Sequence, residues 1–279
     1  MPTADTMTKC HLLFCLLTAL CLTACKPAPK GPSLSEFGAQ NEMTQRMRFE
    51  SYIQALEALP LEMALARQDS LMRSVAGDSA RWRQTLRLED FFLMDPNSPY
   101  RSEELYIPVL ENLLASPFAT EEERIHAEWM SPRIRLNRLG TPAADFNFVT
   151  RDGRSHTLYR TIDQRKPMQT LLFFSNPGCP NCKEITELLS ADPDIQAQIA
   201  DGRLLVLNIY PDEDLQAWYD YLDNYPKAWI CGYDPDLVIR NDTRYWMRAI
   251  PTLYLLDEEK RVVLKDAPPE KVLVYCKQR

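Results

Sequence analysis

The apolar positions change their period along the chain. From Leu12 to Leu22 they run almost without interruption, too short to span a bilayer but of the length of a signal-peptide core. Between about Glu36 and Gly140 they recur at helical spacing. Met43, Met47, Ile53 and Leu56 fall on a first helix, and Leu61, Leu65, Met72 and Val75 on a second. Gly77 stops the second helix, and Asp78 caps a third that runs through Trp82, Leu86 and Phe91. After the turn-rich Asp95-Pro96-Asn97-Ser98-Pro99, Ser102 with Glu103 and Glu104 opens a helix through Leu105, Val109 and Leu113, in which Pro108 predicts a kink or a late start. Thr120 and Glu123 form a capping-box pattern ahead of Ile125 and Trp129. The expectation is a small helical domain without strands.

Beyond Gly140 the pattern shifts. Leu171 to Phe174 is a continuous apolar run, as in a strand covered on both faces. Ser175-Asn176-Pro177-Gly178 is a turn by composition, and Cys179, Cys182, Ile185, Leu188 and Leu189 then follow at helical spacing. In this context Cys179 sits at a helix N-terminus, where unpaired N–H groups and the positive end of the dipole favour thiolate over thiol. Cys182, one turn on, is placed to attack a mixed disulfide formed at Cys179. Two other readings exist. A zinc half-site would need two more ligands, and Cys231, Cys276, His126 and His156 offer no second close pair. A purely structural disulfide is the other, although so small a ring is strained and reducible. A second anchor is Ala249-Ile250-Pro251-Thr252, just ahead of the apolar Leu253 to Leu256. A proline entering a buried strand is awkward unless its peptide is cis or its missing N–H is useful; an ordinary trans proline at a strand start is the alternative.

Together, Cys179-Pro180-Asn181-Cys182 and Ile250-Pro251-Thr252 resemble the thioredoxin fold, in which a cis-proline faces the disulfide. The resemblance implies that Pro251 is cis and that the Ile250 backbone pairs with substrate chain beside Cys179. Thr141-Pro142-Ala143-Ala144-Asp145-Phe146 is similar to the leading segment of the TlpA/ResA-like envelope branch of that superfamily, and the likeness extends over nearly all of Gly140 to Arg279. The implied fold class is an α/β thioredoxin fold, a central mixed sheet flanked by helices, preceded by an all-α domain. In that order Asp152-Gly153 turns a hairpin, Arg203 to Ile209 is a second buried strand, and Asp214 to Leu222 is a helix. Ala228 to Tyr233 is a short extended piece, Leu237 to Met247 the helix leading to Pro251, Thr252 to Leu256 with Arg261 to Leu264 the closing hairpin, and Glu270 to Cys276 the last helix. Met94 to Leu114 resembles the helical domain of unknown function found ahead of thioredoxin-like domains in envelope lipoproteins, over roughly Phe37 to Leu139; it brings no known activity.

Three departures from the family pattern matter. Gly178 stands where the branch usually places Trp before the first cysteine, which removes one wall of the substrate groove. Phe173 stands where thioredoxins proper carry a buried Asp, which leaves the proton acceptor for Cys182 unassigned, and Lys183 and Glu184 read as helix surface. The intervening Pro180-Asn181 begins with proline, as in glutaredoxins and the oxidant DsbA, which leaves the direction of electron flow open.

The N-terminal sequence bears on export. Leu22-Thr23-Ala24-Cys25 looks like a bacterial lipoprotein box, which implies cleavage before Cys25 and lipid on its sulfur and new amino group; an ordinary secretory signal is the alternative. Several acyl chains anchor stably where one would not. Residues 1–24 are then a signal peptide, 25–35 a lipidated cysteine with a Pro-rich tether, 36–139 the helical domain and 140–279 the thioredoxin-like domain. Cys10, Cys15 and Cys21 leave with the signal, reducing the cysteines from 8 to 5. Cys231 and Cys276, both in apolar settings, are expected to be unpaired and buried.

Composition adds little. The chain has 279 residues, 45% hydrophobic and 25% charged, ordinary globular material for about two domains. A net charge of -7 disfavours nucleic acid as a partner. Arg124, Arg133, Arg135 and Arg138 read as a solvated helix face. The expectation is an envelope thiol-disulfide oxidoreductase, more a reductant than an oxidant, lipid-anchored and facing the periplasm. Its partners would be protein or small-molecule disulfides and an envelope electron donor, with no cofactor and no metal. The competing expectation is a scaffolding lipoprotein whose helical domain recruits a partner and whose cysteine pair is not catalytic.

Overall fold

The computed structural model describes residues 41–278. The expectations about the apolar run, the Pro-rich tether and the lipidated Cys25 lie outside the described residues. Five helices come first: α1 (Glu42–Glu57), α2 (Leu61–Val75), α3 (Ser79–Glu89), α4 (Glu103–Ala115) and α5 (Glu121–Ile134). Their starts follow local chemistry. The Asp78 carboxylate accepts from the Ala80 and Arg81 amides, the Ser102 hydroxyl from Leu105 N–H, and Thr120 with Glu123 closes both halves of a capping box, so orphan N–H groups are satisfied at each end. Pro108 does not delay α4, which begins at Glu103.

Several faces differ from the sequence reading. Met43 and Met47 are 67% and 60% exposed; the buried face of α1 is Phe49, Tyr52, Ile53 and Leu56. At about 100° per residue the two methionines lie roughly opposite Tyr52 and Leu56. In α2 the buried stripe is Ala64, Gln68, Met72 and Val75, with Leu61 and Leu65 only partly covered. Helix α3 loosens into a π turn, Asp90–Met94, which turns Phe91 outward while Phe92 and Leu93 stay buried. The arginine cluster is not a free solvated face. Arg124 donates to the Leu114 and Ser116 carbonyls, Arg133 lies over the Trp129 ring, and Arg135 and Arg138 pair with Glu111 and Glu104, each at 2.7 Å. Helix α5 packs against α4, so these cations meet chain ends and carboxylates before they meet water.

The rest of the chain forms β1 (Asn147–Thr150), β2 (Ser155–Thr157), α6 (Leu158–Arg165), β3 (Gln169–Phe174), α7 (Pro180–Ala191) and α8 (Pro193–Ala200). It continues through β4 (Leu204–Tyr210), α9 (Leu215–Tyr221), β5 (Ile230–Tyr233), β6 (Thr252–Asp257), β7 (Val262–Lys265) and α10 (Pro269–Lys277). Helices α6 and α8 have no counterpart in the sequence reading. The seven strands make one mixed sheet in the order β2-β1-β5-β4-β3-β6-β7. Strand β3 runs parallel to β4 and antiparallel to β6, and all six of its residues are buried, which is why the run carries no alternation. Leu171 and Phe173 face the layer containing α7 and α10; Leu172 and Phe174 face α6. The linker lies along β7, with Gly140 N–H on Val262 O at 2.8 Å and Val262 N–H on Thr141 O at 2.9 Å.

The expected helix Leu237 to Met247 is absent. That segment is a series of turns in which Leu237 and Asp242 take positive φ. The Asp234 carboxylate accepts from Ile239 N–H at 2.8 Å, and the Val238 carbonyl accepts from both Thr243 and Arg244. These local bonds displace the helical ladder, and Trp246 leaves the sheet altogether to join the core of the helical domain.

Candidate functional site

Strand β3 delivers the chain to Ser175, fully buried, whose N–H bonds to Ile209 O at 3.2 Å. The turn then reverses through Gly178 at φ 74°, in the left-handed region that glycine occupies without a side-chain penalty. Nothing lies within 4 Å of where its Cβ would be, so this wall of the site is open. Cys179 is the N-cap of α7. Its Sγ accepts from Cys182 N–H at 3.2 Å, and Pro180 occupies the first turn, where its missing N–H removes no ladder bond. Cys179 is partly exposed, whereas Cys182 is 3% exposed. Burial, and then the neighbouring Cys179, pushes the Cys182 thiol far above its ordinary range; the Asn176 backbone N–H pulls the other way.

The Ile250–Pro251 peptide is cis, and the Ile250 carbonyl lies 4.0 Å from Cys179 Sγ. Thr252 Oγ1 ties back to the Ala249 carbonyl at 2.6 Å, closing the loop ahead of β6. Cys179, Cys182, Ile250 and Pro251 are thus brought to one place, at the C-terminal end of β3. Lys183 pairs with Glu187 at 3.7 Å on the outer face of α7, and Glu184 is exposed there too.

Phe173, under the redox turn, packs edge-on against Trp229 with centroids 6.1 Å apart. Its register partner on the next strand is Asn208, fully buried, whose Nδ2 donates to Ser175 Oγ at 2.7 Å; Ser175 Oγ lies 3.0 Å from the Tyr225 hydroxyl. Asn208 Oδ1 has no hydrogen-bond partner among the described residues. The buried polar position in this layer is thus on β4 and not on β3. Burial pushes the Tyr225 hydroxyl above its usual range, against the hydrogen bond with Ser175, which pulls it down. Sequence reasoning did not find this trio, although Asn208 is a lone polar residue in the run Leu204–Tyr210.

Cys231 pairs in register with Asn208 and is only half-buried, contrary to expectation; Cys276 is fully buried, and both are unpaired. Burial pushes their thiols up to about 12 and about 11, which keeps them protonated and inert as nucleophiles.

Residues 35–137 match a family model described as a domain of unknown function, DUF5106. Among solved structures, a thioredoxin-like protein from Bacteroides caccae is 35% identical over 88% of this chain and 88% of its own, with a TM-score of 0.77. The C-terminal domain of an uncharacterised protein from Bacteroides fragilis is 48% identical over 50% of this chain and 98% of its own, with a TM-score of 0.47. The thioredoxin domain of a thiol-disulfide oxidoreductase from Bacteroides vulgatus is 19% identical over 50% and 96%, with a TM-score of 0.42. No curated protein matches the chain. On a likeness to the Bacteroides caccae structure that covers 88% of each chain, and with a helical domain of unknown function ahead of the mixed sheet, this chain belongs to the thioredoxin-like proteins.

Proposed function

We propose that this protein is a thiol-disulfide oxidoreductase acting as a reductant. The observation that carries the reading is the placement of a partly exposed Cys179 Sγ at the start of α7, against the Ile250 carbonyl, with Cys182 buried one turn inside. The Cys179 thiolate attacks one sulfur of a substrate disulfide and expels the other as a thiolate, which takes up a proton. Cys182 then gives up its proton and attacks Cys179 Sγ. The second substrate sulfur leaves as a thiolate and takes up a proton, so the Cys179–Cys182 dithiol has been oxidised to a disulfide and the substrate reduced by two electrons. The proton leaving Cys182 passes to water or to a departing substrate thiolate; the neutral Tyr225, Ser175 and Asn208 side chains in the same buried layer are hydrogen-bond partners and not bases. Ile250 and Pro251 present backbone to the substrate chain. The partners are protein or small-molecule disulfides and an envelope electron donor that restores the dithiol.

Insulin reduction by dithiothreitol tests this. The wild type should accelerate it, and Cys179→Ser should lose more than about a thousandfold of that acceleration, the scale on which removing a nucleophile acts. Equal rates would sink the proposal. The potential of the couple fixes direction: a value near about -270 mV marks a reductant and one near about -120 mV an oxidant. Export and lipid attachment at Cys25, placing the protein on the envelope facing the periplasm, rest on Leu22-Thr23-Ala24-Cys25; retained membrane partition in Cys25→Ala would contradict them.

A further inference from the structure

The irregular segment before Ile250 is held from the other domain. Trp246, 4% exposed, is buried in the core of the helical domain, edge-on to Trp129 with centroids 6.3 Å apart. Arg133 of α5 pairs with Asp242 at 3.5 Å, and Asn137 Nδ2 donates to Arg244 O at 2.7 Å. Arg248, two residues before Ile250, has a side chain only 6% exposed. Its Nη1 donates to Met94 O at 2.7 Å and Leu93 O at 3.3 Å, the carbonyls at the end of the π turn, while Nε donates to Asp266 Oδ2 at 3.0 Å. Glu103, at the start of α4, faces Arg248 at 3.7 Å and Lys265 at 2.7 Å, and Lys265 also reaches the Ile134 and Leu136 carbonyls.

We propose that the helical domain of unknown function is the clamp that fixes the Ile250–Pro251 peptide against Cys179, with Arg248 and Trp246 as its positioning residues; this rests on the thiol-disulfide reading above. The physical case is one of slack. Arg248 is joined to Ile250 through Ala249 alone, and each residue spans at most about 3.6 Å, so anchoring the Arg248 side chain limits how far the backbone leading to the carbonyl beside Cys179 can drift. A planar fork with fixed donor directions, bonded at once to two carbonyls of one domain and a carboxylate of the other, has few alternative seats. Trp246 removes the remaining freedom by leaving the sheet for a separate core. The end of the π turn supplies the two carbonyls, Leu93 and Met94, that face this guanidinium. These anchors act together with the local Asp234 and Val238 bonds that displace the helical ladder.

The test uses the full chain in two variants. Arg248→Met removes every bond; Arg248→Lys keeps a charge opposite Glu103 and Asp266 but cannot hold both carbonyls and the carboxylate together. Amide hydrogen exchange at Ala249, Ile250 and Thr252 should accelerate about tenfold or more in Arg248→Lys. KM for a cystine-bridged peptide should rise about tenfold, with a smaller fall in kcat. Alkylation of Cys179 by iodoacetamide, which needs no docked chain, should stay within about twofold. Unchanged exchange and unchanged KM in a folded Arg248→Lys would overturn the clamp, as would a lowered melting temperature with both unchanged. If Arg248→Met does not fold, Arg248→Lys decides. If the wild type turns over no disulfide at all, the functional reading fails, and exchange at these three amides alone decides the clamp.

Discussion

Two segments meet at Cys179, and they are built by opposite means. The stretch from Ser175 into α7 is local. A glycine with positive φ makes the turn, Cys179 caps its own helix, and Pro180 fills the first turn. The stretch from Asp234 to Ile250 is held from outside, through Trp246 in a second core and Arg248 on the carbonyls of a π turn. A nucleophile can be prepared by its own helix, because the helix end supplies the field. A docking edge cannot, because its position matters only relative to something else.

Cysteine reactivity is the largest effect by which the contrast can be broken. In the reduced protein, iodoacetamide should label Cys179 faster than Cys182 by more than about a hundredfold, because only the thiolate reacts and burial holds Cys182 as the thiol. Preferential labelling of Cys182, read by mass spectrometry, would remove the local half. On the other side, Trp246→Ala should cost about 3–5 kcal/mol, the range for truncating a buried aromatic, measured by urea unfolding. A cost near zero would mean that the segment is not held by the helical core.

Glu103 sharpens the picture through pH. Burial raises its carboxyl above the usual carboxylate range, against the pull of Lys265. The native state then holds this proton more tightly than the unfolded chain, so the stability the group contributes is full below the unfolded pKa and is lost as pH rises through the raised folded value. As pH rises from about 5 the urea midpoint of the wild type should fall more steeply than that of Glu103→Gln; parallel curves would refute the assignment. The smallest effect belongs to the turn. Gly178→Ala should cost about 1 kcal/mol, from the positive φ alone, since its Cβ meets nothing within 4 Å.

The same contrast explains what was legible. The caps at Asp78, Ser102 and Thr120, the two-sided burial of Leu171 to Phe174, and the meeting of Cys179 with Ile250 and Pro251 were readable, because each is written in neighbouring residues or in a motif pair. Misreadings fall where distant chain decides. The segment Leu237 to Met247 has apolar residues enough for a helix, but its local turns and the pull on Trp246 come first. Asn208 could be noticed in an apolar strand, yet only the parallel register with β3 sets it beside Phe173 and Ser175. Met43 and Met47 were assigned by hydrophobicity to a face that Phe49 and Tyr52 actually define.

The linker along β7 bears on how the two halves can be separated. Gly140 and Thr141 occupy the hydrogen-bonding positions beside Val262, so the outer strand of the sheet is closed by the first residues of the thioredoxin-like domain. An excised C-terminal fragment beginning at Asp145 would present that strand bare, with amide and carbonyl groups open to a second copy. One beginning at Asn137 would carry its own cover. A start only a few residues too late therefore decides whether the sheet stays monodisperse, and light scattering on the two fragments would tell them apart.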